Sequence, residues 1–244
     1  MTASRAADTP VDSPRRPPRG PSDAEDRVGL PREQASPIAG PRCLRPSGRQ
    51  LSAADEGADM TASPPDARGI HLAGPRLVLR DFLDSDVDAV HAFAGDPEVT
   101  RFTDWGPNSP EDSRAFVADA VAQARESSRT EFSLAAVDVT SGVLIGSAAV
   151  GITSRTHRQG ELGYVVHRDH WGRGLATEAT TMLLTFGFHR LGLRRIAATC
   201  HPDNIASARV LQKAGLRPEG RLRSNLHVRG AWRDSLLFAA LDDD

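Results

Sequence analysis

Lysine, tyrosine and cysteine are scarce in this 244-residue chain, which contains one lysine, one tyrosine and two cysteines. Any Schiff-base or phosphate-binding lysine mechanism would therefore depend on Lys213 alone, and we place that residue on a helix surface. Cys43 and Cys200 lie in segments of different character, and they give no reason to expect an oxidising compartment. Neither cysteine is near a metal-like cluster, so we expect no metal.

Two further features exclude classes of function. No apolar run in residues 1–70 is long enough for a signal-peptide core or a membrane span, so we expect a cytoplasmic protein without a membrane partner. The net charge of -2 argues against a dedicated nucleic-acid binder, because affinity for nucleic-acid phosphates comes from clustered Lys and Arg. We therefore expect no direct nucleic-acid binding.

Proline and the aromatic residues are distributed unevenly along the chain. Residues 1–70 hold eleven of the seventeen prolines and no Phe, Trp or Tyr, so they lack the side chains that offset the entropy of ordering. We expect a disordered Pro/Arg-rich tail over 1–70 and one folded domain over 71–244. The opening Met-Thr-Ala-Ser recurs at Met60, which we therefore expect as an alternative start.

Apolar spacing in the remainder predicts an α/β domain in which a mixed sheet carries helices on both faces. The predicted order is βααβββαβαββ, with strands over 77–82, 132–137, 143–152, 161–166, 195–199, 222–228 and 235–241, and helices from Asp84, from Ser109, and over 177–191 and 204–214. Asp84 and Ser109 are predicted helix caps.

The most informative segment is a glycine turn between the strand ending at Val166 and the following helix. Gly172 and Gly174 precede that helix, whose first N–H groups lie at the positive end of its dipole and suit a phosphate. A dinucleotide fingerprint would need glycine at Thr177, and a P-loop would need Ser or Thr after Lys213. Both motifs are excluded, which leaves either another phosphorylated ligand or an ordinary strand–helix turn.

Five blocks in order resemble the GNAT N-acetyltransferases, in particular the RimJ/RimL-like branch. They are Trp171-Gly-Arg-Gly-Leu-Ala-Thr-Glu178, His201-Pro-Asp-Asn-Ile-Ala-Ser207, Lys213-Ala-Gly-Leu216, Glu219-Gly220 and Gly230-Ala-Trp-Arg-Asp234, and the resemblance covers about residues 75–242. Trp171 departs from the Gln or Arg that usually opens the cofactor motif.

The resemblance implies a fold, a reaction and partners. The fold would be GNAT-like, with a mostly antiparallel sheet of about seven strands. The reaction would move an acetyl group directly from acetyl-CoA to a primary amine, either a protein N-terminal α-amine such as that of a ribosomal protein or a small-molecule amine. The protein would be a monomer or homodimer. The alternative is a CoA-binding regulatory domain without turnover.

The resemblance also implies site residues. The cofactor would contact Val165, Val166, Trp171, Gly172, Arg173, Gly174, Leu175, Ala176, Thr177 and Asn204. The acceptor slot would be bordered by Arg101, Phe102, Trp105 and Asn225, with His227, Arg229 and Trp232 nearby. Tyr164, on the opposite face of its strand from Glu161, is expected as pocket wall or core.

Two residues are the predicted catalytic groups. Glu161 shares a strand face with Gly163 and Val165 and would remove the amine proton through water; the alternative is a solvated residue at a strand end, and His157 and His201 are weaker candidates. Ser207 is favoured, by resemblance, as proton donor to the thiolate. Its alternative role is local backbone bonding beside the helix cap Asn204.

Overall fold

The computed structural model describes residues 69–244, so the predicted tail and Met60 lie outside the described residues except for Gly69 and Ile70. Ile70 is buried in the core, and its N–H donates to the Asp81 carboxylate at 2.6 Å. The strands are β1 His71–Ala73, β2 Leu77–Asp81, β3 Glu131–Asp138, β4 Leu144–Ser154, β5 Gln159–Val166, β6 Arg195–Cys200, β7 Arg217–Val228 and β8 Ala231–Leu241. The helices are α1 Val87–Ala94, α2 Pro110–Ala124, α3 Leu175–His189 and α4 Ile205–Lys213.

The predicted mixed α/β fold with helices on both faces of a mostly antiparallel sheet is confirmed. The eight strands lie in the order β1-β2-β3-β4-β5-β6-β8-β7, and β5–β6 is the parallel pair among otherwise antiparallel neighbours. The structure adds the short strand β1, which the predicted order omitted, because three residues are too few to show an alternating pattern.

Each face of the sheet carries its own apolar core. α3 and α4 pack on one face, where the rings of Phe132 and Phe186 meet edge to face at 5.3 Å. α1 and α2 pack on the other face, where Phe82 and Phe116 meet in the same way at 5.2 Å. Fully burying side chains of this size stabilises the fold by about 1.5–3 kcal/mol each.

The first helix begins later than the sequence predicts. Asp84 opens a short 3-10 turn, and α1 starts only at Val87. Asp86 is the N-cap residue of α1, but its carboxylate accepts the Leu83 N–H at 2.8 Å and pairs with Arg80 and makes no capping bond to α1, so the predicted cap at Asp84 is wrong. Ser109, in contrast, caps α2 through the N–H of Asp112, which confirms that prediction.

Gly187 sits inside α3, where glycine costs about 0.5–1 kcal/mol relative to alanine. A Cβ at this position would lie 2.4 Å from the Cδ1 atom of Ile196 on β6. The glycine thus lets α3 approach β6 closely.

In the part of the chain from Gly69 onward, no helix is long and apolar enough to cross a membrane.

Candidate active site

A cleft opens where the sheet splits between two neighbouring strands. β5 pairs with β6 over Gln159–Glu161 and Arg195–Ala197, and past these residues the two parallel strands are no longer matched in register. β5 nevertheless continues to Val166, so one edge of its backbone faces the gap. A cavity of about 600 Å³ lies here, a size typical of sites for small molecules and cofactors.

The glycine turn forms one end of the cavity. Gly172 and Gly174 both have left-handed backbones, with φ of 72° and 75°, which a side chain with a Cβ adopts only with strain. Gly174 is the N-cap of α3, and among the described residues no side chain caps this helix. The first N–H groups of α3 therefore remain available to an anion at the positive end of the helix dipole.

The turn is braced from both sides. The indole Nε1 of Trp171 donates to the Val166 carbonyl at 2.7 Å, which ties the turn to the end of β5. From the other side, the Arg76 guanidinium donates to the Arg173 carbonyl at 2.6 Å and to the Glu178 carboxylate at 2.7 Å. These hydrogen bonds fix the shape of the turn, from the end of β5 on one side and from the residue before β2 on the other.

Two hydroxyl groups meet in the middle of the cavity. The Tyr164 hydroxyl lies 2.9 Å from the Ser207 Oγ, and the Ser207 N–H donates to the Asn204 side chain at 3.0 Å. Burial raises the pKa of Tyr164, so the phenol keeps its proton at neutral pH. Asn204 thus fixes the start of α4, and Tyr164 sets the direction of the serine hydroxyl.

A cysteine lies beside this hydroxyl pair. Cys200 ends β6, lines the cavity and is buried, and burial raises the pKa of its thiol to about 11. It is the free cysteine of the described residues. A thiol in this environment stays protonated and is a poor nucleophile at neutral pH.

The opposite end of the cavity is formed by the α1–α2 loop and the β7–β8 hairpin. The loop contributes Phe102 and Trp105, and the hairpin contributes Leu226, Arg233 and Ser235. Charges of both signs lie along this end, so it can meet an acceptor that carries a cation together with other polar groups. Its carboxylates are Glu98 and Asp104, and its cationic or titratable groups are Arg101, Arg233 and His201.

His201 lies where the two walls meet. Its ring packs on Phe102 at 5.1 Å between centroids. Burial and, secondly, the neighbouring Arg233 lower its pKa, against the opposing effect of Asp203, which favours the neutral ring near pH 7. The Asp203 N–H donates to Nδ1 at 3.0 Å, so the neutral ring carries its proton on Nε2 and offers a donor.

The structure brings most of the sequence-predicted site residues into this one cavity. Those that line it are Arg101, Phe102, Trp105, Tyr164, Val165, Val166, Trp171, Gly172, Gly174, Leu175, Ala176, Thr177, Asn204 and Ser207.

Three of the predicted residues lie outside the cavity lining. Glu161 is buried on β5, 2% exposed, two residues before Gly163. The Arg173 side chain is exposed and meets His170 at 3.0 Å. Asn225 donates to the Ser235 hydroxyl at 3.1 Å and thereby reaches the cavity indirectly.

Several lining residues were missed at the sequence level. Thr199 and Cys200 enter the cavity because β6 ends beside the split, and Arg233 and Ser235 enter from β8, which pairs with β6. Alternation along β8 was visible in the sequence, but its pairing with β6 was not. Lys213 and Arg209 on α4 also line the cavity, and both are exposed.

Comparison with known proteins agrees with this geometry. Residues 76–217 match the family described as "Acetyltransferase (GNAT) domain". The chain belongs to the GNAT acetyltransferase family. The resemblance predicted from the five sequence blocks is confirmed, and the protein is an N-acetyltransferase.

Three relatives show how far the similarity to this acetyltransferase extends. A Bacillus subtilis protein named "Uncharacterized N-acetyltransferase YnaD" is 31% identical over 175 residues, which are 72% of this chain and 99% of that protein. A Bacillus anthracis GNAT acetyltransferase structure is 28% identical, with a TM-score of 0.64 over 72% of this chain and 100% of that one. Mycobacterium smegmatis RimJ, solved in complex with CoA-disulfide, is 27% identical, with a TM-score of 0.61 over 72% and 87%.

The described part of the acetyltransferase offers no group of three or more His, Cys, Asp or Glu side chains that could hold a metal ion.

Proposed function

We propose that this acetyltransferase moves an acetyl group from acetyl-CoA directly to a primary amine, either a peptide N-terminus or a small molecule. The observation that carries the proposal is the continuity of the cavity. An anion-binding turn, a hydroxyl pair and an acceptor end with acidic groups follow one another along the same cleft. Each part suits one portion of the two substrates.

The turn suits the pyrophosphate of CoA. A Cβ at Gly172 would meet nothing within 4 Å, so the protein leaves open space where a phosphate can approach the backbone. The N-terminus of α3 supplies donors and a favourable dipole. Lys213 and Arg209 line the same cavity and add positive charge.

The unmatched edge of β5 suits the amide-bearing arm of CoA. Past Glu161, the backbone groups of β5 that face the split can pair with the amides of an extended ligand, as a neighbouring strand would. Asn204 lies across the gap at the start of α4 and lines the cavity.

Ser207 is the proposed proton donor to the departing sulfur. When bound, acetyl-CoA supplies the acetyl group as a thioester, whose carbonyl carbon is attacked by the amine nitrogen as the C–S bond breaks. Tyr164 keeps its proton and lies 2.9 Å from the Ser207 Oγ, and when the phenol is the donor of this hydrogen bond the serine hydrogen is free to point at the sulfur. A hydrogen-bond chain of this kind polarises the donor and favours the transfer.

Glu161 is the proposed group that takes the proton from the amine. It lies outside the lining, yet it shares a strand face with Gly163, which lines the cavity two residues further on. A water between the amine and the carboxylate would bridge that separation. His201 is less suitable, because its Nδ1 lone pair is occupied by the Asp203 N–H.

The test is thiol release from acetyl-CoA across a panel of amines, with mass spectrometry of the products. The panel holds ribosomal-protein N-terminal peptides, polyamines and aminoglycosides. We expect release with at least one class, with the acetyl group on nitrogen. Tight CoA binding without release from any amine would instead favour a regulatory CoA-binding domain.

A further inference from the structure

The β7–β8 hairpin turns at an unusual residue. Val228 pairs with Ala231, which leaves Arg229 and Gly230 as a two-residue turn with φ of 50° and 81°. Two-residue turns with both φ positive favour Asn-Gly, because asparagine tolerates the left-handed region far better than arginine does. Something other than turn preference therefore holds arginine at this position.

The Arg229 guanidinium holds the α1–α2 loop by its backbone. It donates to the carbonyls of Thr100 at 3.2 Å, Thr103 at 3.3 Å, Trp105 at 3.2 Å and Gly106 at 2.9 Å. These partners lie 123 to 129 residues earlier in the chain. One fork-shaped cation thus gathers four carbonyl groups that converge on it, a geometry that the point charge of lysine cannot reproduce.

A second arginine of the hairpin supports the same loop. Arg233, four residues further along on β8, donates to the Thr103 carbonyl at 3.2 Å and also lines the cavity. The loop segment gathered by the two arginines carries Phe102 and Trp105, which form the acceptor wall. The hairpin wall and the loop wall of the acceptor end are therefore fastened to each other.

We propose that Arg229 is a positioning residue for the amine acceptor, which it serves by locking the α1–α2 loop onto the β7–β8 hairpin. The proposal rests on the proposed function, since that function defines this end of the cavity as the acceptor end. Arg229 itself does not line the cavity, so it acts through the placement of Phe102 and Trp105. Its four carbonyl partners lie outside the glycine turn, so we expect the affinity for acetyl-CoA to be independent of it.

The deciding variant is Arg229→Asn, which keeps a residue suited to the turn and removes the guanidinium. Arg229→Lys keeps the charge without the fork. The matched control is Arg223→Asn, an exposed arginine of the adjoining strand β7. Each full-length protein is measured for deuterium exchange of a peptide covering residues 100–106, for the KM of its best amine, for kcat and for the Kd of acetyl-CoA.

We expect faster exchange at residues 100–106 and a rise of about tenfold in the acceptor KM for Arg229→Asn, because misplacement of a positioning group weakens the productive complex. Arg229→Lys should recover little of this loss. kcat and the acetyl-CoA Kd should change by less than about twofold, since neither depends on acceptor binding. Arg223→Asn should match the wild type in every measurement.

Three outcomes would overturn the proposal. Unchanged exchange in Arg229→Asn would show that the lock does not hold the loop. Faster exchange with an unchanged acceptor KM would show that the loop does not position the acceptor. An equal loss of acetyl-CoA affinity would show a general structural role. A wild-type protein without turnover would count against the proposed function instead, and the exchange measurement would still decide whether the lock exists.

Discussion

The two ends of the cavity are held in different ways. At the glycine turn, most of the shape comes from the local chain, through two left-handed glycines, a helix start and a tryptophan that bonds back five residues, with one distant brace from Arg76 to the Arg173 carbonyl. At the acceptor end, the shape comes from side chains that reach backbone groups more than a hundred residues away, such as Arg229 on Thr100. Most contacts that shape the glycine turn lie within a short sequence segment. The acceptor end forms only when the folded sheet brings distant segments together.

An end that is shaped by its local chain and an end that is assembled from distant segments can be altered separately. A turn whose geometry is local accepts the same phosphate group wherever the segment occurs. A wall assembled from a loop and a hairpin can change its contents without disturbing the turn. Changes at single residues test whether the two ends of the cavity can be altered independently.

Gly174→Val should break the cofactor end alone. At φ of 75° a β-branched residue is strained, and its Cβ would lie 3.5 Å from the Arg76 guanidinium that braces the turn, so we expect the turn to shift and CoA affinity to fall by more than about 100-fold. Calorimetry measures the Kd. The control is Gly142→Val, which has φ of 69° in the β3–β4 turn, away from the cavity. An equal loss of affinity in both variants would reduce the effect to general destabilisation.

Ser207→Ala should separate chemistry from binding. Loss of the proton donor should lower kcat by about 10- to 100-fold, while the acetyl-CoA Kd stays within about twofold. Steady-state thiol release and calorimetry give the two values. Asn204 still caps α4 in this variant, because the cap accepts the residue-207 backbone N–H. Equal rates for variant and wild type would remove Ser207 from the mechanism.

Glu161→Gln should affect the acceptor half-reaction in a pH-dependent way. An α-amine titrates near pH ~8, so below that value a proton must be removed and above it the amine is already neutral. We expect a loss of about tenfold in kcat/KM at pH 6.5 that shrinks toward the wild-type value by pH 9. A ratio independent of pH would mean that Glu161 acts only in packing.

Tyr164→Phe should have a smaller effect than Ser207→Ala. The ring stays in place, but the Ser207 Oγ loses the donor that orients it, so we expect kcat to fall by about threefold to tenfold. The double variant with Ser207→Ala should be no slower than Ser207→Ala alone, because Tyr164 acts through the serine. Additive losses would assign Tyr164 an independent role.

Alkylation of Cys200 should have the smallest effect at neutral pH. With a thiol pKa raised to about 11, roughly one molecule in 10⁴ carries the thiolate at pH 7, so iodoacetamide should leave activity nearly unchanged there. The rate should rise about tenfold per pH unit up to about pH 10, because the thiolate is the reacting form. The experiment uses a Cys43→Ser background. A plateau near pH 8 would show that burial does not hold the thiol protonated.

The sequence was sufficient for the fold and for the cofactor end. Apolar residues recur with the helix or strand period because one face of each element is buried. The turn from Gly172 to Leu175 combines its glycines and the helix start within a few residues. These features depend on neighbours in the chain, so they can be recognised without knowing the tertiary structure. Asn204 was recognised as a helix cap in the same way, whereas the role of Ser207 came from the family resemblance.

The acceptor end could not be predicted to the same depth. The sequence placed Arg229 near the slot but could not show that its guanidinium meets four carbonyls. Every residue has a backbone carbonyl, so the residue types do not indicate which carbonyls converge. The bond between Tyr164 and Ser207 joins two elements 43 residues apart and depends on the split between β5 and β6. Arg173 and Glu161 lie in the segments that the sequence indicated but outside the cavity lining, and their predicted roles stay predictions.

The uncapped start of α3 has a thermodynamic consequence. A helix of 15 residues that begins on a glycine without a side-chain cap lacks the contribution, roughly a few tenths of a kcal/mol, that a serine or aspartate would supply. A ligand that bonds to those N–H groups supplies it instead, and it binds only the folded state. At 100 times its Kd, such a ligand raises the free energy of unfolding by about 2.7 kcal/mol. The melting temperature of the protein should therefore rise with the CoA concentration. Its thermal stability would then report how much of the cofactor is present.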